Sequence, residues 1–528
     1  MVKRFLVTTA LEETWDANEV TLFLGEWCTR YSRKIVWHGI NSEVLPYHWD
    51  DRAKLYDDYE YLQTLYEKLL IDLSIKLNEI HGLNYSLKYW RILIGPWLGY
   101  FVQVVFDRWE SIQKSIKEFE ISGTIIYEFD NYTLVPNDME EFSVFITEDK
   151  WNHYIYSEII KDYTDIPKCN LQVIKISETP NSELGFNSEP ANGSIKQIVR
   201  KSYVAIMRLF MRNNDAFFLS TYLPLKDELR LNLRMRQAPI KWSSIPAVKT
   251  SCNTDIRAWD LNAVDFTGFE QCIRHLISRQ IPKIYLEGYI QLIEQVGNLP
   301  WPTKPKLIWT SNACNSDDVF KAWAGRNVVF GTPLVIGQHG GHYGLGKWSF
   351  NELHEMTICD CYLSWGWGKG SAKVKAVGQL KGKHSLNIKH TDKVKLLLVT
   401  AVVPRYSYWM YSIMVSRQYL DYFDDQCRFI DNLPTCIQES SIVRLYPNDY
   451  GWDQEKRWRD RFPSQCIDTG QNDIQGLINQ TRLYISTYNA TTFLESFTMN
   501  VPTVMYWNPE NWELRNSAIP YFEELKNV

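Results

Sequence analysis

Two short segments of this 528-residue chain bring together residue types that group-transfer chemistry needs. In PLVIGQHGGHYGLGKWSFNELHE (333–355) an apolar run ends at Gly337 and gives way to Gln338, His339, Gly340, Gly341, His342 and Tyr343. The glycines let the backbone approach a ligand closely. Histidine titrates near neutral pH, so His339 can take a proton from an attacking hydroxyl. Backbone N–H groups in the same loop can cradle a carboxylate or phosphate, which makes Gln338, Gly340, Gly341, His342 and Tyr343 candidate substrate-binding residues. Glu355, at the end of the segment, is a further candidate base.

The second segment is LYISTYNATTFLESFTMNVPTVMY (483–506). A strand there delivers Ser486, Thr487, Asn489, Thr491 and Thr492 to the start of an apolar helix. Unpaired N–H groups and the helix dipole favour a phosphate at such a start, and hydroxyls add donors. Glu495, one turn in, can accept from a ribose or sugar diol. Asn and Thr also cap helices, but capping needs only one of them. In RLYPNDY (444–450), Arg444 lies in a strand from which a guanidinium can reach a phosphate. Near the N-terminus Glu12 and Glu26 follow the first two strands and His38 stands in VWHG. Each is a candidate base or hydroxyl-binding group.

Those loops need strands and helices to hold them. Short apolar runs at 4–9, 20–24, 124–129, 216–223, 306–310, 333–337 and 361–365 alternate with helical periodicity at 59–80, 147–162, 262–279 and 316–324. After a basic stretch at 369–393 a second series begins at 395–400, with strands at 442–447, 483–487 and 502–507 and helices near 452–461 and 491–499. Alternating strands and helices imply an α/β fold with parallel strands. The length favours more than one domain. The expected fold is therefore α/β with two Rossmann-like domains facing a cleft, residues 1–388 and 389–528, hinged between about 366 and 394. In such sheets ligands sit beyond the carboxyl ends of the strands. The polar stretch 178–195 reads as an exposed loop.

Composition narrows the class. Hydrophobic residues make up 45% and charged residues 23%, as in ordinary globular proteins. The net charge of −5 gives no general attraction to nucleic acid, so an anionic ligand needs a local pocket. The 21 Trp, 31 Tyr and 23 Phe residues suit sugar rings and nucleobases, as they suit a large core. Ten scattered cysteines show no zinc-like spacing. No DxD motif follows a strand, so no metal and no bound cofactor is expected. The apolar stretch Tyr89–Phe106 carries Arg91, Gln103 and a Gly95-Pro96 break, too short and too polar for a spanning helix. A cytoplasmic protein is expected, with peripheral contact at the inner membrane left open.

IGQHGGHYG, CDCYLSWGWG, RLYPNDYGW and STYNATTFLES…NVPTVMYWNPENWE resemble a transferase family encoded in bacterial O-antigen and surface-polysaccharide clusters. FLVTTALEETW, LFLGEWC and YWRILIGPWL extend the likeness to the other end of the chain. A more distant similarity links Gln338-His339-Gly340 to the Gln-x-Trp-His-Gly loop of GT-B-type capsule transferases and CDP-glycerol glycerophosphotransferases. Those enzymes have a His-Pro pair after a strand of the second domain; Tyr446-Pro447 stands here, which places Tyr446 beside the phosphates and favours glycosyl over polyol-phosphate transfer. The resemblance implies a glycosyltransferase of lipopolysaccharide or capsule synthesis, using a nucleotide-sugar donor as co-substrate and a carbohydrate or lipid-linked saccharide as acceptor. A CDP-activated polyol-phosphate transferase and a noncatalytic carbohydrate-binding scaffold are the alternatives. Family members continue past the equivalent of PYFEEL with another helical stretch, so the second domain is expected to be incomplete at Val528.

Overall fold

A computed structural model describes residues 2–129, 134–174, 206–381, 394–408 and 410–527. The expected loop at 178–195 and much of the basic stretch 369–393 lie outside these residues. Among these residues fifteen strands form three five-stranded sheets. The first contains β1 (Arg4–Val7), β2 (Thr21–Phe23), β3 (Ser42–Val44), β4 (Ile121–Phe129) and β5 (Lys168–Ile174). The second contains β6 (Phe217–Leu219), β7 (Ile308–Thr310), β8 (Leu334–Gly337), β9 (Cys361–Ser364) and β10 (Val374–Ala376). The third contains β11 (Val394–Val399), β12 (Ser441–Arg444), β13 (Cys466–Asp468), β14 (Thr481–Ser486) and β15 (Thr503–Met505).

Neighbouring strands within each sheet pair in parallel, and helices cross between them, so the protein is α/β. The first sheet runs β3-β2-β1-β4-β5 and the third β13-β12-β11-β14-β15. In both, the order reverses beside the first strand, which opens a crevice at the carboxyl ends. The middle sheet runs β10-β9-β8-β7-β6 without reversal. The described part of residues 1–388 thus holds two sheets rather than one. Strand β11 shows why the third sheet is covered twice: Leu396 and Leu398 enter one apolar cluster, Leu397 and Val399 another.

The first two sheets share one core, crossed by the helices Arg52–His81 and Leu87–Glu118. The second helix passes through the Gly95-Pro96 pair without ending, because packing on nearly every side offsets the hydrogen bond that proline removes. Its Gly95 and Gly99 let the helix Phe350–Ile358 lie against it; a Cβ at Gly99 would sit 1.8 Å from the Phe350 ring. Glu355 is carried on the helix Phe350–Ile358. No helix among the described residues is long and apolar enough to cross a membrane.

Buried charges join the third sheet to the rest. Arg405, beyond β11, donates to Asp149 at 2.8 Å and to the Trp27 carbonyl, while Tyr406 donates to the same carboxylate at 2.5 Å. The fully buried Arg108 donates to Ser407 O at 2.8 Å. Further along, Gly346 and Leu514 form an antiparallel bridge, and Arg515 grips Glu352 with two bonds of 2.9 Å.

Candidate functional site

A cavity of about 520 Å³ opens where the carboxyl ends of the second and third sheets face each other. Loops after β7 (Asn312, Asn315) and β8 (His339 to Tyr343) form one wall. Loops after β11 (Ala401 to Met414), β12 (Tyr446, Tyr450) and β14 (Tyr488 to Thr491) form the other. The β11 and β14 loops flank the point at which the third sheet reverses order, where α/β sheets receive ligands. Residues 139–147, just beyond the first sheet's β4, close one side.

The two sequence segments meet directly. Gly341 N donates to Thr491 Oγ1 at 3.0 Å. A Cβ on Gly341 would stand 2.1 Å from the carbonyl oxygen of Ala490, so this backbone approach requires glycine. Gln338 braces the loop from behind: its Nε2 donates to Gly340 O at 2.7 Å, and its Oε1 accepts from Trp365 N and Trp367 Nε1 at 2.9 and 2.7 Å.

His339 lines the cavity with its side chain 23% exposed. Nε2 lies 3.2 Å from Tyr343 OH and Nδ1 lies 3.6 Å from Glu355 Oε1. Glu355 is wholly buried behind the loop. Burial pushes its carboxyl up to about 8, against the pull of hydrogen bonds from Asn315, Tyr343 and Tyr362 at 3.1, 3.2 and 3.3 Å. Burial, aided by the Lys381 ammonium, takes His339 down to about 4. Near neutral pH the pair therefore rests as a neutral imidazole beside a protonated carboxyl. His342, also brought down to about 4 by burial and drawn back by the Asn489 amide, faces Tyr411 and Trp512.

The wall is aromatic and poor in charge. Tyr446 and Tyr450 stack at 6.2 Å, and Tyr488 lies 5.9 Å from Trp512. Burial pushes Tyr446 and Tyr488 up to about 12, so their hydroxyls stay donors. The described lining contains Glu140 and no Lys or Arg. Lys381 leaves its mark on His339; its Nζ sits 4.3 Å from the Tyr222 ring and its charge also faces Glu495.

The chain matches, over residues 4–528, the family described as LIC12162 family transferase. It belongs to that family. No curated protein matches it. The loops of this LIC12162 family transferase converge on one cavity of about 520 Å³.

His339, Gly340, Gly341, His342, Tyr343, Tyr446 and Thr491 line the cavity. Gln338, Glu355 and Asn489 are buried just behind it. Ser486 and Thr487 serve the backbone, donating to Tyr488 O and Val399 O at 2.8 Å each. Thr492 donates to Tyr488 OH at 2.9 Å, and the helix it opens, Thr492–Thr498, is only seven residues long. Glu495 is half-buried, and among the described residues nothing hydrogen-bonds its Oε2.

Four expected residues do not belong to this wall. Arg444 is occupied by Asp468 and by the carbonyls of Asn472 and Gly470, at 2.7 and 3.1 Å for the last two. Glu12 forms a twofold pair with Arg33 at 2.5 and 2.7 Å. Glu26 accepts from Thr29 at 3.3 Å, and His38 stacks on Trp37 at 4.2 Å. All follow the first sheet's early strands or run along β12, and a position after a strand does not specify which crevice its side chain enters. The loop after β11, Glu140 and Trp512 escaped the sequence reading. For that loop the signal is positional: its tyrosines follow the strand beside which the sheet order reverses.

Proposed function

We propose that this transferase is a metal-independent glycosyltransferase of GT-B architecture, moving a sugar from a nucleotide donor to a growing O-antigen or capsule saccharide. The lobe from 389 onward holds the nucleotide and residues 1–388 hold the acceptor. The observation that carries this reading is the meeting of the Gln-His-Gly-Gly-His loop with the Tyr-Asn-Ala-Thr loop across an aromatic cavity. Sugar rings and bases present flat faces that Tyr446, Tyr450, Tyr488 and Trp512 suit.

In the reaction an acceptor hydroxyl oxygen bonds to the anomeric carbon while the bond from that carbon to the donor phosphate breaks. The electron pair leaves with the phosphate, and the hydroxyl proton passes to the His339 imidazole. Tyrosine hydroxyls and backbone N–H groups stabilise the leaving phosphate, with Lys381 the nearby cation. Glu355 is a positioning residue that holds the imidazole through Tyr343. Glu26, which does not line the cavity, takes no part in this scheme.

The direct test is a thermal-shift screen against CMP, CDP, UDP, GDP and dTDP. One nucleotide is expected to raise the melting temperature selectively, since a ligand bound only by the native state stabilises it. No shift with any of them removes the nucleotide from the proposal.

Glu355 gives a second test. Its raised value makes the folded state bind a proton that the unfolded chain releases above the ordinary 4.5, so stability is lost as pH rises from about 4.5 to about 8. Glu355→Gln keeps the neutral form and is expected to flatten that decline in a melting series while retaining most activity at pH 7. If Gln abolishes activity in a folded protein, Glu355 acts as a carboxylate and the role assigned to it is wrong.

A further inference from the structure

At the end of the middle sheet remote from the cavity, four segments lie side by side. Lys304 N donates to Asn213 O at 2.9 Å and Lys306 N to Asn214 O at 3.3 Å, so the turn before β7 runs along the residues before β6. Lys306 Nζ reaches Met235 O at 3.4 Å, and the Arg212 guanidinium bonds the Arg236 carbonyl, which adds the end of the helix Leu225–Arg234. Thr332 donates to Pro305 O at 3.1 Å, bringing in the turn before β8.

The face so assembled is apolar and basic together. Leu209 is 81% exposed, Phe330 80% and Phe210 67%. Segments 206–215, 233–236, 303–307 and 330–332 carry Arg208, Arg212, Arg234, Arg236, Lys304 and Lys306. Their one acidic residue, Asp215, is buried and paired with Arg212 at 3.5 Å. This is a local reversal of the chain's net charge of −5.

We propose that this face docks on an anionic lipid surface, with Leu209, Phe210 and Phe330 entering the headgroup layer and the surrounding cations meeting lipid phosphates. A bilayer interface takes large aliphatic and aromatic side chains and cations at once. A polyanion such as nucleic acid matches the cations and leaves Leu209 in water. The face lies at the amino ends of β6, β7 and β8 and the cavity at the carboxyl ends, so docking leaves the cavity open.

Flotation of the full chain with phosphatidylcholine vesicles, with and without phosphatidylglycerol, tests this. Binding is expected only to the anionic vesicles and is expected to fall at high salt. Both Leu209→Ser/Phe210→Ser and Arg208→Glu/Lys304→Glu are expected to weaken partition about tenfold, with the wild-type melting temperature. Failure of the wild type to float overturns the proposal, as does undiminished flotation of both folded variants. Loss in the charge variant alone, matched by equal loss of heparin binding, makes the face a polyanion site and overturns it too.

Discussion

His339→Ala is expected to lower the chemical step roughly 10²-fold or more while leaving donor affinity nearly unchanged, because proton removal matters chiefly in the transition state. The imidazole is the titratable side chain of the β8 loop that reaches the cavity beside Tyr343 and Glu355. It rests neutral, down at about 4, so it is ready to accept a proton across the neutral range. That value makes it a weak base, and Glu355, 3.6 Å away, stays a neutral carboxyl that orients the ring. His339→Gln keeps a hydrogen-bonding group without basicity and is not expected to restore turnover. Single-turnover rates with the donor that the nucleotide screen identifies would decide this. If His339→Gln keeps most of the activity, the residue positions substrate and the base lies elsewhere. Stability supplies an independent readout. A lowered imidazole value means that the unfolded chain takes a proton below the ordinary 6.5 which the folded chain refuses. The wild type should therefore lose stability, relative to His339→Gln, as pH falls from about 6.5 to about 4.

The sequence made the strands of this fold largely readable and their grouping unreadable. Ile-, Leu- and Val-rich runs at 4–9, 306–310, 395–400 and 483–487 overlap β1, β7, β11 and β14, because strands buried on both faces read as continuous apolar runs. Strands β3, β10 and β13 lie at sheet edges, where fewer apolar neighbours leave Ser42, Glu43 and Lys375 in place and hide the pattern. The helix Leu87–Glu118 was obscured for the opposite reason: buried on almost all sides, it shows no polar stripe. At the site, the glycines and hydroxyls that cluster after a strand point to His339 and Thr491, which the fold brings to one cavity. Arg444 was misleading because a guanidinium in a strand finds a carboxylate on the neighbouring strand, Asp468, as readily as a ligand. Lys381 was hidden in a basic stretch that reads as a linker, and only tertiary packing brings its charge to His339 and Glu495.

Gly341→Ala and Gly340→Ala are expected to differ sharply although they are neighbours in one loop. Neither residue has the positive φ that would itself demand glycine. At Gly340 a new Cβ finds Tyr343 at 3.7 Å and Thr491 Oγ1 at 3.9 Å, ordinary contacts that cost little. At Gly341 it meets Ala490 O at 2.1 Å, Ala490 C at 2.5 Å and Thr491 N at 2.9 Å. These are backbone atoms with no rotamer to yield, so the two loops must move apart and the 3.0 Å bond to Thr491 is lost. Such overpacking costs about 1–3 kcal/mol, which on the closed arrangement is roughly a five- to 150-fold loss of turnover. The apolar clusters of the three sheets do not include Gly341, so the protein should still fold. Calorimetric affinity for the identified nucleotide, measured beside turnover, shows where the loss falls. A loss in turnover larger than that in nucleotide affinity fits a loop that belongs to the acceptor side and completes the site by contact. If Gly341→Ala matches Gly340→Ala in both measurements, the contact between the two loops is incidental and the cavity they enclose is not where transfer occurs.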